Sequence, residues 1–358
     1  MEEQAQAASA AQTNGGGTAT LDLSWLDLET AWGVRAKPGR RGLTLEEIEI
    51  GPYAPVAEST DNQSLRPRGA VPRTAVPRIG RPYTSKTEVW SANAAMLYEE
   101  AVQRQWSSAT DIPWETVEPL PDDIERAMCQ LCTFLTEVEF IAGDTPGMWL
   151  PEVNSEYHEV KLFLLSQIMD EARHLEVFRK RAFVNGGGLL SAGPGLGLRT
   201  ILESKNYSEM SALMHVLAEG FIQSVFRMGE YIAQNEAEKK IFRLCAQDES
   251  RHVAYGVMHL KYLNDHEPER HEEIHYYLDR AEGVFSFEDS PAANDLSEAL
   301  AILMGGGIRN LDRGVQMAMA VRKRQVNEYM HRLEVAGFGD RRDRMNPALK
   351  AFLNPAKN

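Results

Sequence analysis

From about residue 86 to about residue 335, hydrophobic positions recur every three to four residues. That spacing gathers apolar side chains on one face of an α-helix. It predicts helices near 86–106, 121–143, 154–184, 207–234, 236–264, 267–282, 292–304 and 309–335. The punctuation agrees. Pro121-Asp122-Asp123 opens one helix with acids at the end the dipole favours, and Gly186-Gly187-Gly188 closes another. Alternation with a period of two is nearly absent, so the expectation is an all-α fold in which four long central helices form a bundle.

The flanks read differently. Residues 1–85 comprise a disordered tail ending in TNGGGTAT and an irregular arm containing RPRGAVPRTAVPRIGRPY. Proline at that density excludes regular helix; the arginines suggest an extended arm over an acidic surface, with a plain solvated linker as the alternative. The helical domain spans 86–335, and 336–358 read as a C-terminal tail.

The 358 residues carry a formal net charge of −14, which argues against a general nucleic-acid binder, since phosphate neutralisation needs clustered Lys and Arg. No apolar run approaches the length of a membrane span, and the first residues lack the basic-then-apolar order of a secretory signal. Three cysteines cannot form a disulfide framework, and a reducing cytoplasm is the expected location. Cys129 and Cys132 form a CxxC, but it has no second pair and no preceding strand. Two small apolar helix residues is the better reading than a redox or zinc role.

The chemistry lies in a repeat. Asp170-Glu171-Ala172-Arg173-His174 is nearly copied by Asp248-Glu249-Ser250-Arg251-His252. Around Glu171 the same-face neighbours are Leu164, Ile168, Leu175 and Phe178; around Glu249 they are Phe242, Ala246, Val253 and Gly256. Both Glu-x-x-His pairs therefore lie on stripes that face inward. Burying an ionised carboxylate costs several kcal/mol or more unless it is paired or coordinates a metal, so the arrangement asks for cations. Glu219, in MHVLAEGFIQSVF, is a third inward acid. Glu137 and Glu139 lie on different faces of LTEVEFIAGD, so only one of them joins the set. One acid from each of two helices plus Glu-x-x-His from each of two more is a di-iron or di-manganese ligand set. Four negative charges balance two divalent ions, and carboxylate with imidazole suits iron or manganese. Buried Glu–Arg and Asp–His ion pairs without metal are the alternative.

Over roughly residues 88–262 the sequence resembles the ferritin-like di-iron carboxylate oxidases and oxygenases. These include the ribonucleotide reductase small subunit, the ligand-binding oxidases related to it and the bacterial multicomponent monooxygenase hydroxylases. LYEEAVQRQWSSATDIPW is similar to the opening helix of the reductase-like members, whose tryptophan matches Trp106. EFIAGDTPGMWLP resembles the segment of the first metal ligand, which selects Glu139 over Glu137. AEGFIQSVF resembles the helix of the third ligand, Glu219. The resemblance implies that Glu139, Glu171, His174, Glu219, Glu249 and His252 hold two iron ions, Fe/Fe or Mn/Fe, with O2 as co-substrate. It gives Asp170 and Asp248 the task of orienting the histidines across the bundle. Arg173 and Arg251 would pair with those acids.

Departures from each branch narrow the function. The radical-storing tyrosine of the reductase subunits is replaced by Phe178. Ala142 and Met214 stand where the ligand-binding oxidases form a Val–Tyr crosslink. Cys245 stands for the third histidine of the arylamine N-oxygenases, and Gln223 for the threonine of the monooxygenase hydroxylases. The expected function is an O2-activating di-iron oxygenase or oxidase that hydroxylates, N-oxygenates or desaturates a small or medium organic molecule. Its half-sites would be Glu139, Glu171, His174 and Glu219, Glu249, His252, with some carboxylates bridging. Gln223 and Phe178 are candidate pocket residues. Trp106 is a candidate electron relay, with core packing as its alternative. A ferredoxin or reductase as electron donor and a homodimer are the expected partners. A radical-initiating subunit serving a larger protein is the rival reading; Phe178 and the ending AFLNPAKN, without Tyr or Trp, count against it.

Overall fold

The computed structural model describes residues 21–28, 33–72, 78, 82–192, 196–285 and 291–355. The tail expected over 1–20 lies outside the described residues, as does part of the Pro/Arg-rich stretch. The chain divides into Met1–Arg35, in which Ser24–Asp27 forms a 3-10 turn, and Ala36–Asn358, which holds everything below.

Eight principal helices follow: α1 (Ala94–Gln103), α2 (Asp122–Trp149), α3 (His158–Val184), α4, α5 (Glu236–His266), α6 (His271–Phe285), α7 (Pro291–Gly305) and α8 (Leu311–Val335). α4 is continuous but composite: an α segment Tyr207–Ser211, a π-helical stretch Ala212–Ala218 and an α segment Glu219–Ile232. Among the described residues there is no strand, only the isolated bridges Gly39–Gly42 and Ser59–Ser85. The all-α expectation is met. No helix among these residues is long and apolar enough to cross a membrane.

Capping explains the clean starts of α4 and α5. Asn206 accepts from Glu209 N at 2.8 Å, and Asn235 accepts from Glu238 N at 2.9 Å. Two predicted boundaries moved furthest. The helix expected at 86–106 starts only at Ala94, because Ser91 and Asn93 spend their side chains on the Tyr255 and Ala254 carbonyls of α5 instead of prolonging a helix. α2, expected to stop at 143, continues to Trp149. Thr145 and Pro146 are buried there, and Thr145 Oγ1 donates to the Ile141 carbonyl, so packing overrides the breaker sequence Gly-Asp-Thr-Pro-Gly.

α2 packs on α3, α4 on α5, and α3 meets α5 in the middle. A Cβ on Gly256 would stand 2.3 Å from His215 Cβ, and one on Gly229 would stand 2.4 Å from the Phe242 ring. As positions rise along α4 they fall along α5, so these two helices run antiparallel, close together at two glycines. The apolar side chains form two cores. One holds Phe163, Leu164, Leu217, Phe221 and Val253; the other holds Val138, Val177, Phe178, Ile222, Phe226, Phe242 and Cys245. On α3 and α5 the boundary between the two cores falls at Asp170–His174 and at Asp248–His252, and on α4 it falls between Phe221 and Ile222, just past Glu219, so the polar repeat forms a band between apolar layers. Arg181 of α3 locks the second core, bonding Glu238 of α5 at 2.6 Å and Glu125 of α2 at 2.7 Å.

The flanking segments also meet the bundle. Arg68 pairs with Glu49 at 3.0 Å and with Glu159 of α3 at 2.5 Å. After α8, Phe338, Arg341, Met345 and Leu349 are buried.

Candidate metal centre

Glu139 of α2, Glu171 and His174 of α3, Glu219 of α4, and Glu249 and His252 of α5 all converge in the band, each between 0 and 4% exposed. Glu137 is only partly buried and stands outside the group, so the geometry selects Glu139. The six residues form two overlapping sets whose donor atoms lie within 4.8 Å of one another. One is Glu139, Glu171, His174 and Glu249; the other is Glu171, Glu219, Glu249 and His252. Glu171 and Glu249 belong to both. His252 Nδ1 is 3.0 Å from Glu171 Oε1, and His174 Nδ1 is 3.5 Å from Glu249 Oε1. Two carboxylates are thus shared, and each set adds one further acid and one imidazole.

Each histidine is held from behind by the opposite repeat. His174 Nε2 lies 3.2 Å from Asp248 Oδ2, and His252 Nε2 lies 3.3 Å from Asp170 Oδ2. An Nε2–H donated to carboxylate leaves the Nδ1 lone pair pointing at the glutamates, the tautomer a metal ligand needs. Arg173 bonds Asp170 and lies 3.2 Å from Asp248; Arg251 lies 2.8 Å from Asp170 and 2.5 Å from Asp248. Two arginines therefore balance two aspartates, and the four glutamates are left without a full counter-charge.

The protons show the same deficit. Burial pushes Glu139 and Glu219 well above the usual carboxylate range, the neighbouring glutamates adding to it against the nearby imidazoles. Burial also works against Glu171, but His252 and His174 outweigh it and hold that group below its usual range. Both imidazoles are raised despite burial: His174 by Cys245, Asp248 and Glu139, His252 by Glu171, Asp170 and Glu249. Both Glu139 oxygens, Glu171 Oε1, Glu219 Oε2, Glu249 Oε2 and His252 Nδ1 are sealed from solvent and make no hydrogen bond. Glu171 Oε1 and His252 Nδ1 are close yet misaligned for a bond with each other. Orphaned acceptors aimed at common points are what a pair of divalent cations would satisfy, and the donor set suits iron or manganese.

Sequence reasoning missed the support of Glu219. Gln167 Nε2 donates to Glu219 Oε1 at 2.7 Å, His215 Nε2 meets Gln167 Oε1 at 3.1 Å, and Ser211 meets His215 Nδ1 at 3.0 Å. Burial keeps His215 well below its usual value, hence neutral. The signal was present: Gln167 and His215 each stand four residues before a glutamate of the set. The π stretch ends on that glutamate, whose N–H reaches back to Met214 O, and such insertions occur frequently at functional sites.

The other candidates separate. Trp106 Nε1 donates to Asp248 Oδ2 at 2.8 Å, and its ring lies under Arg173, 5.2 Å from the guanidinium. Phe178 is stacked on Phe226 at 5.4 Å and packs against Phe242 in the second core. Gln223 is 5% exposed and opens into a cleft of about 910 Å³ between α4, α5 and α8, walled by Val253, Val257, Met258, Asn327 and Arg332. Met214 and Ala142 are buried. Cys129, Cys132 and Cys245 are free, buried thiols, and burial pushes Cys129 up to about 11 and Cys245 up to about 12.

No family model matches the sequence, nor does any curated protein. Solved structures do match. An R2-like ligand-binding oxidase with an aerobically reconstituted Mn/Fe cofactor superposes with a TM-score of 0.52 at 16% identity, covering 69% of this chain and 93% of that one. A variant of such an oxidase with an Fe/Fe cofactor gives 0.53 at 17% identity, covering 69% and 94%. The fold is ferritin-like. In this ferritin-like bundle the carboxylate–imidazole band lies between two apolar cores, and its four glutamates come from four different helices.

Proposed function

We propose that this chain is an O2-activating di-metal oxidoreductase of the oxygenase or oxidase type, acting on a small or medium organic molecule by hydroxylation, N-oxygenation or desaturation. The observation that carries the reading is the pair of overlapping ligand sets sharing Glu171 and Glu249, with buried oxygens that no protein donor satisfies. Two iron ions, or one manganese and one iron, held there would supply the redox equivalents and open coordination positions that O2 reduction requires. Glu139 with His174 and Glu219 with His252 would complete the two positions.

The protein's own contribution is placement and exclusion. Asp170 and Asp248 hold the imidazole Nε2–H groups, so the Nδ1 lone pairs stay aimed inward. Gln167 fixes one oxygen of Glu219 and leaves the other free. Phe178, Phe226 and Phe242 keep water from the band on one side. Gln223, one turn beyond Glu219, stands between the band and the cleft, and we assign substrate to that cleft. Arg332, Arg227, Lys323 and Arg324 line it, which favours a substrate carrying an anionic or carbonyl oxygen. Trp106, bonded to the aspartate that orients His174, is the assigned entry point for electrons from a ferredoxin or reductase. A homodimer in the cytoplasm completes the proposal.

The test is metal analysis of the purified chain together with O2 uptake after reduction. Two transition ions per chain and iron-dependent O2 consumption stimulated by an organic substrate support the reading. Fewer than two ions, or uptake indifferent to iron, defeats it. Phe178 has no phenolic O–H, so a persistent tyrosyl-type electron-spin signal at this place is not expected; finding one near the centre favours the radical-initiating alternative.

A further inference from the structure

A second group of ligand-type side chains lies on other residues. α6 begins at His271, and His275 follows one turn later on the same face. The turn after α8 brings in Asp340, aided by Gly337, whose φ of +93° suits glycine. His271 Nε2 and His275 Nε2 are 3.2 Å apart, and Asp340 Oδ2 lies 3.2 Å from the first and 3.0 Å from the second. Three donors at nearly equal spacing match the roughly 3.3 Å edge of a tetrahedron built from metal bonds of about 2.0–2.1 Å.

The orientation of the His271 ring is fixed. His271 Nδ1 lies 2.8 Å from Asn264 Oδ1, an oxygen that only accepts, so Nδ1 carries the proton and Nε2 the lone pair. That ring stacks on Phe338 at 4.6 Å, and His275 meets the same phenyl edge-on at 5.7 Å. Arg341, fully buried, donates to the His275 carbonyl at 3.2 Å while paired with Glu282 at 2.8 Å, which pins the Asp340 turn to α6. The lone pair of His271 and the carboxylate of Asp340, both acceptors, therefore face one another. A proton on His275 can serve them only as a shared bond; a cation at the centre serves all three.

We propose that His271, His275 and Asp340 bind one divalent first-row cation of the Zn2+ type, separate from the bundle centre. Two imidazoles and a carboxylate leave a fourth position for water. That position opens outward, since the Asp340 side chain is 50% exposed and that of His271 27%. The ion clasps the segment following α8 onto α6. Neither the metals of the bundle nor its activity is needed for this assignment.

The experiment is equilibrium dialysis of the untagged full-length chain against Zn2+, beside His271→Ala and Asp340→Asn. Both substitutions replace partly exposed side chains, and circular dichroism checks the fold. The wild type should retain one more ion per chain than either variant. Co2+ in place of Zn2+ should give, beyond any absorption from the bundle centre, a visible d–d band of tetrahedral strength that both variants lack. His174→Ala, altered only in the bundle, should keep that absorption. Equal ion counts in the wild type and both variants, or Co2+ absorption lost with His174→Ala and kept in Asp340→Asn, overturns the assignment.

Discussion

The acids of the band differ in their hydrogen-bond support, and the differences predict how substitutions behave. Glu219 has one oxygen satisfied by Gln167 and one orphaned, so Glu219→Ala should remove a ligand and strand the Gln167 amide; metal content should fall below two ions per chain. Asp248 accepts from Trp106, Arg173, Arg251 and His174 together. Asp248→Asn should weaken metal binding about 10–100-fold, the usual cost of losing an outer hydrogen-bond partner, and competition with a calibrated chelator would measure it. Glu139 and Glu219 are raised by burial and so hold protons when no cation is near. Cations displace those protons, so apparent affinity should rise with pH across the neutral range, and loading a weakly buffered solution should acidify it. Affinity that is flat with pH would contradict this. At this scale the convergence of the six acids and imidazoles was legible because inward stripes carrying acids are costly and therefore conspicuous. Gln167 and His215 were not, since a neutral buried amide and imidazole look like ordinary core polar residues until their partners are known.

Among the helices, α4 and α5 depend on two glycines to reach ligand distance. Gly256→Ala would drive a methyl group into His215, whose bond to Gln167 supports Glu219. Overpacking of this kind costs about 1–3 kcal/mol, and the damage should pass to the metal centre: denaturant unfolding should show the loss, with weaker metal retention in the folded protein. An unchanged midpoint would mean that α5 yields freely at this point. The order and number of long helices could be read from periodicity because long amphipathic segments repeat their signal many times. Three features could not. The π stretch leaves no mark in composition, the continuation of α2 through Pro146 contradicts local propensity, and Ser91 and Asn93 divert the start of α1 by bonding to residues more than 160 positions away. All three are decided by tertiary packing.

For the whole molecule, a polar band sandwiched by two apolar cores ties stability to metal. The chelated chain must keep protons on Glu139 and Glu219 and leave buried carboxylate oxygens without a partner, while the loaded chain need not. At metal concentrations near 100 times the dissociation constant, stabilisation should reach about 2.7 kcal/mol per site, and thermal unfolding with and without chelator would reveal the upward shift. Coincident curves would show that the band tolerates its own charge. Fold class could be read at this scale, whereas the cleft beside Gln223 and the group at His271 could not, because each joins segments distant in sequence. The Asp-Glu-x-Arg-His repeat carries one last consequence. His174 looks to Asp248 and His252 to Asp170, so an approximate two-fold relation exchanges the inner ligands, and whatever distinguishes one ion from its neighbour must come from what breaks that relation. Trp106 and Cys245 stand beside His174, whereas Phe163 stands beside His252. Replacing Cys245 should therefore alter the Mössbauer signal of a single iron in the pair and leave its twin untouched.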